Sequence, residues 1–161
     1  MEHLWTPWRS SYVNTKSDPH LCIFCAALAS HDDHQHYVLH RGKGAFVMLN
    51  RFPYTSGHLM IAPNAHVSRL SEVESPAADE IWRLTRATEV VLHGMYSPNG
   101  INIGINIGEA AGAGIAGHLH VHILPRWIGD ANFMTVIGHT RVMPELLEDT
   151  FRKLGPAFAQ L

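Results

Sequence analysis

Along this chain the apolar positions change period several times, and each change predicts an element. Residues 37–39 and 45–49 are short apolar runs separated by Arg41-Gly42-Lys43-Gly44, a glycine-bearing connection of hairpin length, and they predict two paired strands. After the turn-forming residues 50–57, the run His58-Leu59-Met60-Ile61-Ala62 predicts a third strand stopped by Pro63. From Ser75-Pro76 to about Tyr96, Ile81, Leu84, Thr85, Thr88, Val91, Leu92 and Met95 recur at three- and four-residue steps, the pattern of one long amphipathic helix packed on the sheet. Pro76 suits its first turn, and Trp82 is expected to face the core. Ile101-Asn102-Ile103-Gly104-Ile105-Asn106-Ile107 has the two-residue period of a half-buried strand. A loop over residues 108–117 with four glycines follows, then the histidine strand His118-Leu119-His120-Val121-His122-Ile123-Leu124, ended by Pro125. The tail predicts a loop over 127–132 and a helix from Pro144 to Leu154. The first thirty residues, with Trp5-Thr6-Pro7-Trp8-Arg9, lack a clean period and read as an extended arm. Polar residues 31–36 predict a solvated loop, with a metal-binding tract as the alternative. Together these elements make an α+β chain with an antiparallel meander sheet of about five strands.

Composition narrows the class. A chain of 161 residues, 46% hydrophobic and 16% charged, suffices for one sizeable core, and no repeat suggests a second domain. No run approaches eighteen apolar residues and no leader-like segment opens the chain, so a cytoplasmic protein with no membrane partner is expected. The formal net charge of −2 implies no general attraction to nucleic acid polymers or anionic membranes. An anionic ligand must therefore be held locally. The two cysteines form Cys22-Ile23-Phe24-Cys25, a spacing that in a reducing compartment points to metal or redox chemistry rather than a disulfide. Histidine, at 13 residues, is the outlier.

Alternation along a strand puts His118, His120 and His122 on one face and Leu119, Val121 and Ile123 on the other. Were that face ordinary core, each ring left without a partner would cost on the order of 1 to 3 kcal/mol. Two functional readings stand: the three rings bind one metal, making a metal hydrolase, or one neutral ring attacks phosphorus, making a phosphoryl or nucleotidyl transferase. The glycine-rich loop entering the strand could present backbone N–H groups to an anion, which favours the second.

The run His118 to Leu124 resembles the signature of the histidine-triad superfamily at every position. Phe46-Val47-Met48-Leu49-Asn50, Gly57-His58-Leu59-Met60-Ile61-Ala62-Pro63-Asn64-Ala65-His66 and Asn106-Ile107-Gly108 resemble its other landmarks in order, so that roughly residues 20–128 are covered. The resemblance implies a homodimer, or a larger assembly of dimers, whose sheets join, with nucleotide in a cleft over the histidine strand. It implies that His120 is a nucleophile forming a covalent nucleotidyl intermediate and that His122 contacts the phosphate. By the same resemblance Asn50 holds the ribose, Asn106 lies beside the α-phosphate, His58 lies at the cleft edge, and backbone N–H groups of Ala113, Gly114 and Ile115 cradle the phosphate. Branches that carry a CxxC knuckle bind structural zinc, and the ligands implied here are Cys22, Cys25, His66 and His118. That commitment of His118 counts against the three-histidine metal reading. Magnesium is allowed for as a companion of a polyphosphate substrate.

Many hydrolytic members carry glutamine four residues before the first triad histidine, where this chain has Gly114. The space left there could admit inorganic phosphate in place of water. With residues 111–118, the stretch Pro125-Arg126-Trp127-Ile128-Gly129-Asp130-Ala131-Asn132-Phe133 and the N-terminal Trp5 to Arg9, the chain resembles the diadenosine tetraphosphate phosphorylase branch. Trp127 is then a candidate wall of the cleft, able to stack on a base. Arg126 reads as a surface charge, with the distal phosphates as its alternative partner. The expected activity is hydrolysis or phosphorolysis of dinucleoside polyphosphates with an adenine nucleotide as substrate. A nucleoside phosphoramidase and a zinc-stabilised nucleotide-binding module are the alternatives. An arm of about residues 1–20, a core of about 20–128 and an extension of about 129–161 complete the expectation.

Overall fold

Alternation and helical spacing resolve into eleven short elements in a computed structural model that describes residues 22–130, 137 and 145–161. Residues 1–21 of the expected N-terminal arm and the helix start at Pro144 lie outside the described residues. Helices α1 (Ile23–Ala29) and α2 (Asp33–His36) lead into strands β1 (Val38–Arg41), β2 (Ala45–Leu49) and β3 (Leu59–Pro63). The long helix α3 (Ser75–Tyr96), strands β4 (Gly100–Ile105) and β5 (Val121–Arg126) and helix α4 (Leu147–Phe158) follow, with 3-10 turns at Leu70–Glu72 and Glu109–Ala111.

The five strands form one antiparallel sheet in the order β1-β2-β3-β5-β4. The meander expected from sequence therefore ends at β3: the strand carrying His122 inserts between β3 and β4, while α3 spans the connection. Two prolines expected to stop strands lie at their ends, Pro63 as the last residue of β3 and Pro125 as the last but one of β5. Pro63 pairs with Ala45, and Pro125 pairs with Ile101. Both are tolerated because the β3–β5 ladder runs only from Leu59↔Ile123 to Ile61↔Val121, so neither proline owes that ladder an N–H.

One face of the sheet packs on α3 and α4. Ile81, Leu84 and Leu92 of α3 and Leu154 and Phe158 of α4 close over Val47, Leu49, Leu59, Ile61, Val121 and Ile123. Trp82, expected in the core, is 64% exposed, because it lies one position, about 100° of rotation, off the stripe of Ile81, Leu84, Thr85, Thr88 and Leu92. Strand β4 is likewise not half-buried. It is an edge strand, and Ile103, Ile105 and Ile107 are exposed. The C-terminal helix runs past Leu154 to Phe158, with Pro156 in its last turn, because Thr150, Leu154 and Phe158 are its buried stripe.

The other face carries a smaller cluster of Phe24, Ala27, Val38, Phe46, Met48, Met60 and Ala62. Its cover is α1, where an arm was expected; α2, where a solvated loop was expected, has no buried residue and meets the C-terminal helix through His34 and Glu148. Asp32 initiates α2 by accepting the Gln35 N–H at 2.9 Å. Arg41 ties α1 down through the carbonyls of Ala27 and Ser30 at 2.7 and 2.9 Å.

Candidate active site

The ladder of β5 begins only at Val121, but extended backbone carries the histidine alternation back to His118. The Leu119 N–H donates to the Val67 carbonyl at 2.7 Å, and Val121 and Ile123 join the helical core while the histidines stay on the Phe24 side. Ring centroids of His120 and His122 are 4.7 Å apart. The triad thus occupies one face, as the alternation predicts, although only His122 lies within the hydrogen-bonded strand.

Hydrogen bonds assign a protonation pattern to each ring. His120 Nδ1 lies 2.8 Å from the carbonyl oxygen of His118, and since a carbonyl only accepts, Nδ1 holds the proton and Nε2 keeps its lone pair. Burial pushes the His120 pKa below its ordinary value, against the raising effect of that bond. Near neutral pH His120 is therefore an uncharged imidazole with one available nucleophilic nitrogen.

A second chain of bonds orients His122. The Tyr54 N–H donates to His58 Nδ1 at 3.1 Å, which leaves the His58 proton on Nε2; that nitrogen lies 2.9 Å from His122 Nδ1 and donates to it. His122 consequently carries its own proton on Nε2, as a donor for an incoming phosphate oxygen. Burial, and then the nearby His120, push the His122 pKa down to about 4. Tyr54 also packs its ring 4.6 Å from His58 and 6.0 Å from His122. Nothing in the sequence near His122 points to Tyr54, which is a residue the sequence analysis missed. His58 itself is 1% exposed, so it lies beneath His122 rather than at the cleft edge and reaches a ligand only through that ring. Gly57 makes this placement feasible. Its φ is 76°, and Tyr96 lies 3.1 Å from where a Cβ would stand.

Asn50 joins the same turn. Its Oδ1 accepts the Phe52 N–H at 2.9 Å and its Nδ2 lies 3.4 Å from His58 Nδ1. Asn106 follows the last β4–β5 pair, Ile105↔Val121, which puts it level with His120. In the expected cradle, the Ala113 N–H is already bonded to the Gly108 carbonyl at 3.3 Å, so Ala113 is removed from the donor set. Among the described residues no backbone acceptor pairs with the N–H of Gly114 or Ile115. Gly114 is exposed, and a Cβ there would meet nothing within 4 Å.

Trp127 does not wall this cleft within the protomer. Its ring meets Tyr96 edge-on at 6.2 Å, and Tyr96 packs on the helical core, on the other side of the sheet from the triad. Arg126 is engaged by Asp130 through two bonds of 2.6 and 2.8 Å, and by Asn102 at 2.7 Å, so it clamps the turn after β5.

Next to the triad, Cys22, Cys25, His66 and His118 bring one ligand atom each to within 4.8 Å of one another. Cys22 Sγ lies 3.2 Å from His118 Nδ1, and Cys25 Sγ lies 3.2 Å from His66 Nδ1. The donor set fits a metal ion: two thiols and two imidazoles make a closed tetrahedral set. His118 Nε2–H donates to the Pro63 carbonyl at 2.9 Å, which leaves Nδ1 to face the thiols and supplies the outer bond that metal-binding histidines need. Among the described residues this is the single such group, and His31, His34 and His36 form none. His34 instead meets Glu148 at 2.6 Å.

Known proteins resemble this chain in sequence and in fold. The family model for the HIT domain matches residues 33–127. The AP-4-A phosphorylase of Mycobacterium tuberculosis is 38% identical over 167 residues, covering 99% of this chain and 86% of the relative. The asymmetrical bis(5'-nucleosyl)-tetraphosphatase of Schizosaccharomyces pombe is 32% identical across 55% of this chain and 48% of its own length. Among solved structures, a zinc-bound histidine triad family protein from Mycobacterium smegmatis superposes with a TM-score of 0.69 at 25% identity, over 88% of this chain and 96% of that one.

Proposed function

Since the chain belongs to the HIT domain family, we propose that it is a nucleotidyl hydrolase or transferase acting on dinucleoside polyphosphates, with diadenosine tetraphosphate foremost. The observation that carries this reading is the hydrogen bond from His120 Nδ1 to the His118 carbonyl, which leaves a neutral Nε2 as nucleophile. Nε2 of His120 attacks an adenylate phosphorus, a P–N bond forms, and the P–O bond to the bridging oxygen breaks with release of the remaining nucleotide. The proton on His120 Nδ1 stays on the carbonyl bond, so the adenylated ring is a cation and a good leaving group for the second step. His122 Nε2–H donates to the phosphate where charge gathers. An acceptor oxygen then takes the AMP: water yields AMP, and inorganic phosphate yields ADP. The open space at Gly114 supports phosphate as acceptor. Asn50, Asn106 and the N–H groups of Gly114 and Ile115 hold the nucleotide in this reading.

Cys22, Cys25, His66 and His118 would hold a structural zinc ion, which when bound supplies a cross-link between α1, the segment after β3 and the triad. A second copy of the chain covers β4, whose outer edge pairs with no strand among the described residues and whose exposed Ile103 and Ile105 line an apolar groove with Leu70 and Trp82. The domain reading is one HIT unit with an N-terminal arm and a C-terminal extension.

Labelled diadenosine tetraphosphate, quenched during turnover, is expected to leave AMP on His120. ADP that appears only when phosphate is supplied identifies a phosphorylase; AMP with ATP identifies a hydrolase. Absence of both adduct and product overturns the reading, and faster turnover of adenosine phosphoramidate moves it to P–N substrates. Sedimentation of Ile103→Asp is expected to show monomers where the unaltered chain shows dimers; a monomeric unaltered chain overturns the assembly.

A further inference from the structure

The Cys22-Ile23-Phe24-Cys25 knuckle does more on the page than present two thiols. Phe24, between them in sequence, is fully buried, and its ring centroid lies 4.9 Å from the ring of His118 and 4.9 Å from the ring of His120. The hydrogen bond from Nδ1 of His120 to the His118 carbonyl fixes one edge of the imidazole but permits the ring to pivot about that bond. Two neighbours oppose the pivot. His122 stands on it at 4.7 Å and 76°, and Phe24 lies against it at 35°. Phe24 is braced in turn by Phe46, edge-on at 6.3 Å.

What holds Phe24 there, besides its packing and the Arg41 bonds to the Ala27 and Ser30 carbonyls, is the ligand quartet. Helix α1 has seven residues and no side-chain cap at Cys22, and a helix of that length is not stable in water by itself. Phe24 and Ala27 are its buried residues, and Cys22 and Cys25 flank Phe24 on the side facing His118 and His66. Both routes to His120, the His118 carbonyl and the Phe24 ring, therefore start at the four ligands.

We propose that Phe24 is a positioning residue for His120, through which the Cys22–Cys25 knuckle sets the orientation of the nucleophile. The proposal rests on His120 being the nucleophile, as argued above. It makes metal at the quartet a condition of fast chemistry, and it assigns Phe24 to the chemical step rather than to nucleotide binding.

The test compares zinc-loaded unaltered protein with zinc-loaded Phe24→Leu and Phe24→Met, the latter an unbranched side chain that fills irregular space should leucine prevent folding. Both variants are expected to keep bound zinc and KM for diadenosine tetraphosphate, while kcat falls about ten- to a hundredfold, the scale of a small misplacement of a reacting group. A second readout needs no turnover. In nitrogen-edited proton spectra the Nδ1–H of His120 is expected in slow exchange in the unaltered protein and lost in Phe24→Leu. It is expected to be lost also when a chelator strips zinc under conditions where circular dichroism shows the fold intact, and to return with zinc.

A zinc-loaded variant with unchanged kcat and an unchanged Nδ1–H signal overturns the role of Phe24. A stripped protein that keeps the signal overturns the link to the knuckle. If the signals behave as expected but no nucleotidyl adduct forms on unaltered protein, the reading of His120 as nucleophile fails while the packing link stands.

Discussion

The two faces of the sheet are closed by different physics. On the helical face, α3 and α4 bury a continuous apolar cluster from Ala45 to Phe158, and packing supplies most of its closure, with Glu80 of α3 accepting the N–H groups of Gly44 and Ala45 at its rim. The histidine face has a smaller cluster, covered by one helix of seven residues, and polar tethers hold it: the Cys22, Cys25, His66 and His118 quartet, Arg41 on the carbonyls of α1, and the bonded histidines. The difference teaches where chemistry can reside. A face closed by apolar volume leaves no room for reactive nitrogen, whereas a thinly covered face held by directional bonds can present a buried but reachable imidazole.

The sharpest way to break the comparison is to delete one side chain from each face. His120→Ala is expected to reduce turnover on the order of a thousandfold or more, since a nucleophile has no substitute within the site. Leu84→Ala on the helical face is expected to cost about 2 to 5 kcal/mol of stability with kcat unchanged below the melting transition. Denaturant unfolding beside steady-state kinetics on both variants checks this, and a Leu84→Ala protein with normal stability would dissolve the contrast.

Mild acid, above the range where the lowered carboxyls of Glu80 and Glu145 take up protons, tests the histidine face. Above about pH 6.5 His122 is neutral in both folded and unfolded chains and stability does not depend on it. As pH falls from there to about 4, the unfolded chain takes up a proton that the folded ring refuses, so stability declines across that window. His122→Asn is expected to flatten part of this decline in urea unfolding between pH 7 and pH 5; an unchanged slope would show that burial does not hold His122 neutral.

The smallest expected effect refines the site. Gly114→Gln, at a position where a Cβ meets nothing within 4 Å, is expected to leave stability unchanged and to move product from ADP toward AMP a few-fold, the scale of one altered polar contact. Product ratios at fixed phosphate check it, and an unchanged ratio places acceptor choice elsewhere.

Much of this was legible in residue order. The helical spacing of Ile81, Leu84, Thr85, Thr88 and Leu92 delivers α3 with its bounds, and the two-residue spacing of His118, His120 and His122 delivers a common face. The quartet was reachable only through family resemblance, because Cys22 and His118 are 96 positions apart. Other features escaped for physical reasons. Trp82 reads as core by its chemistry, but its angle on α3 leaves it outside. Trp127 and His58 looked like cleft residues, yet the sheet puts Trp127 against Tyr96 and sinks His58 beneath His122.

Taken alone, the sequence determined the five strands, the long helix and which reactive side chains share a face, because period and turn chemistry are local properties of the chain. Tertiary structure decided which nitrogen of each histidine holds a proton, since those protons are assigned by a carbonyl of His118 and by a bond reaching 64 positions from His58 to His122. It also decided that Phe24 lies against the nucleophile. Both depend on distances between segments remote in sequence, and no spacing along the chain encodes them.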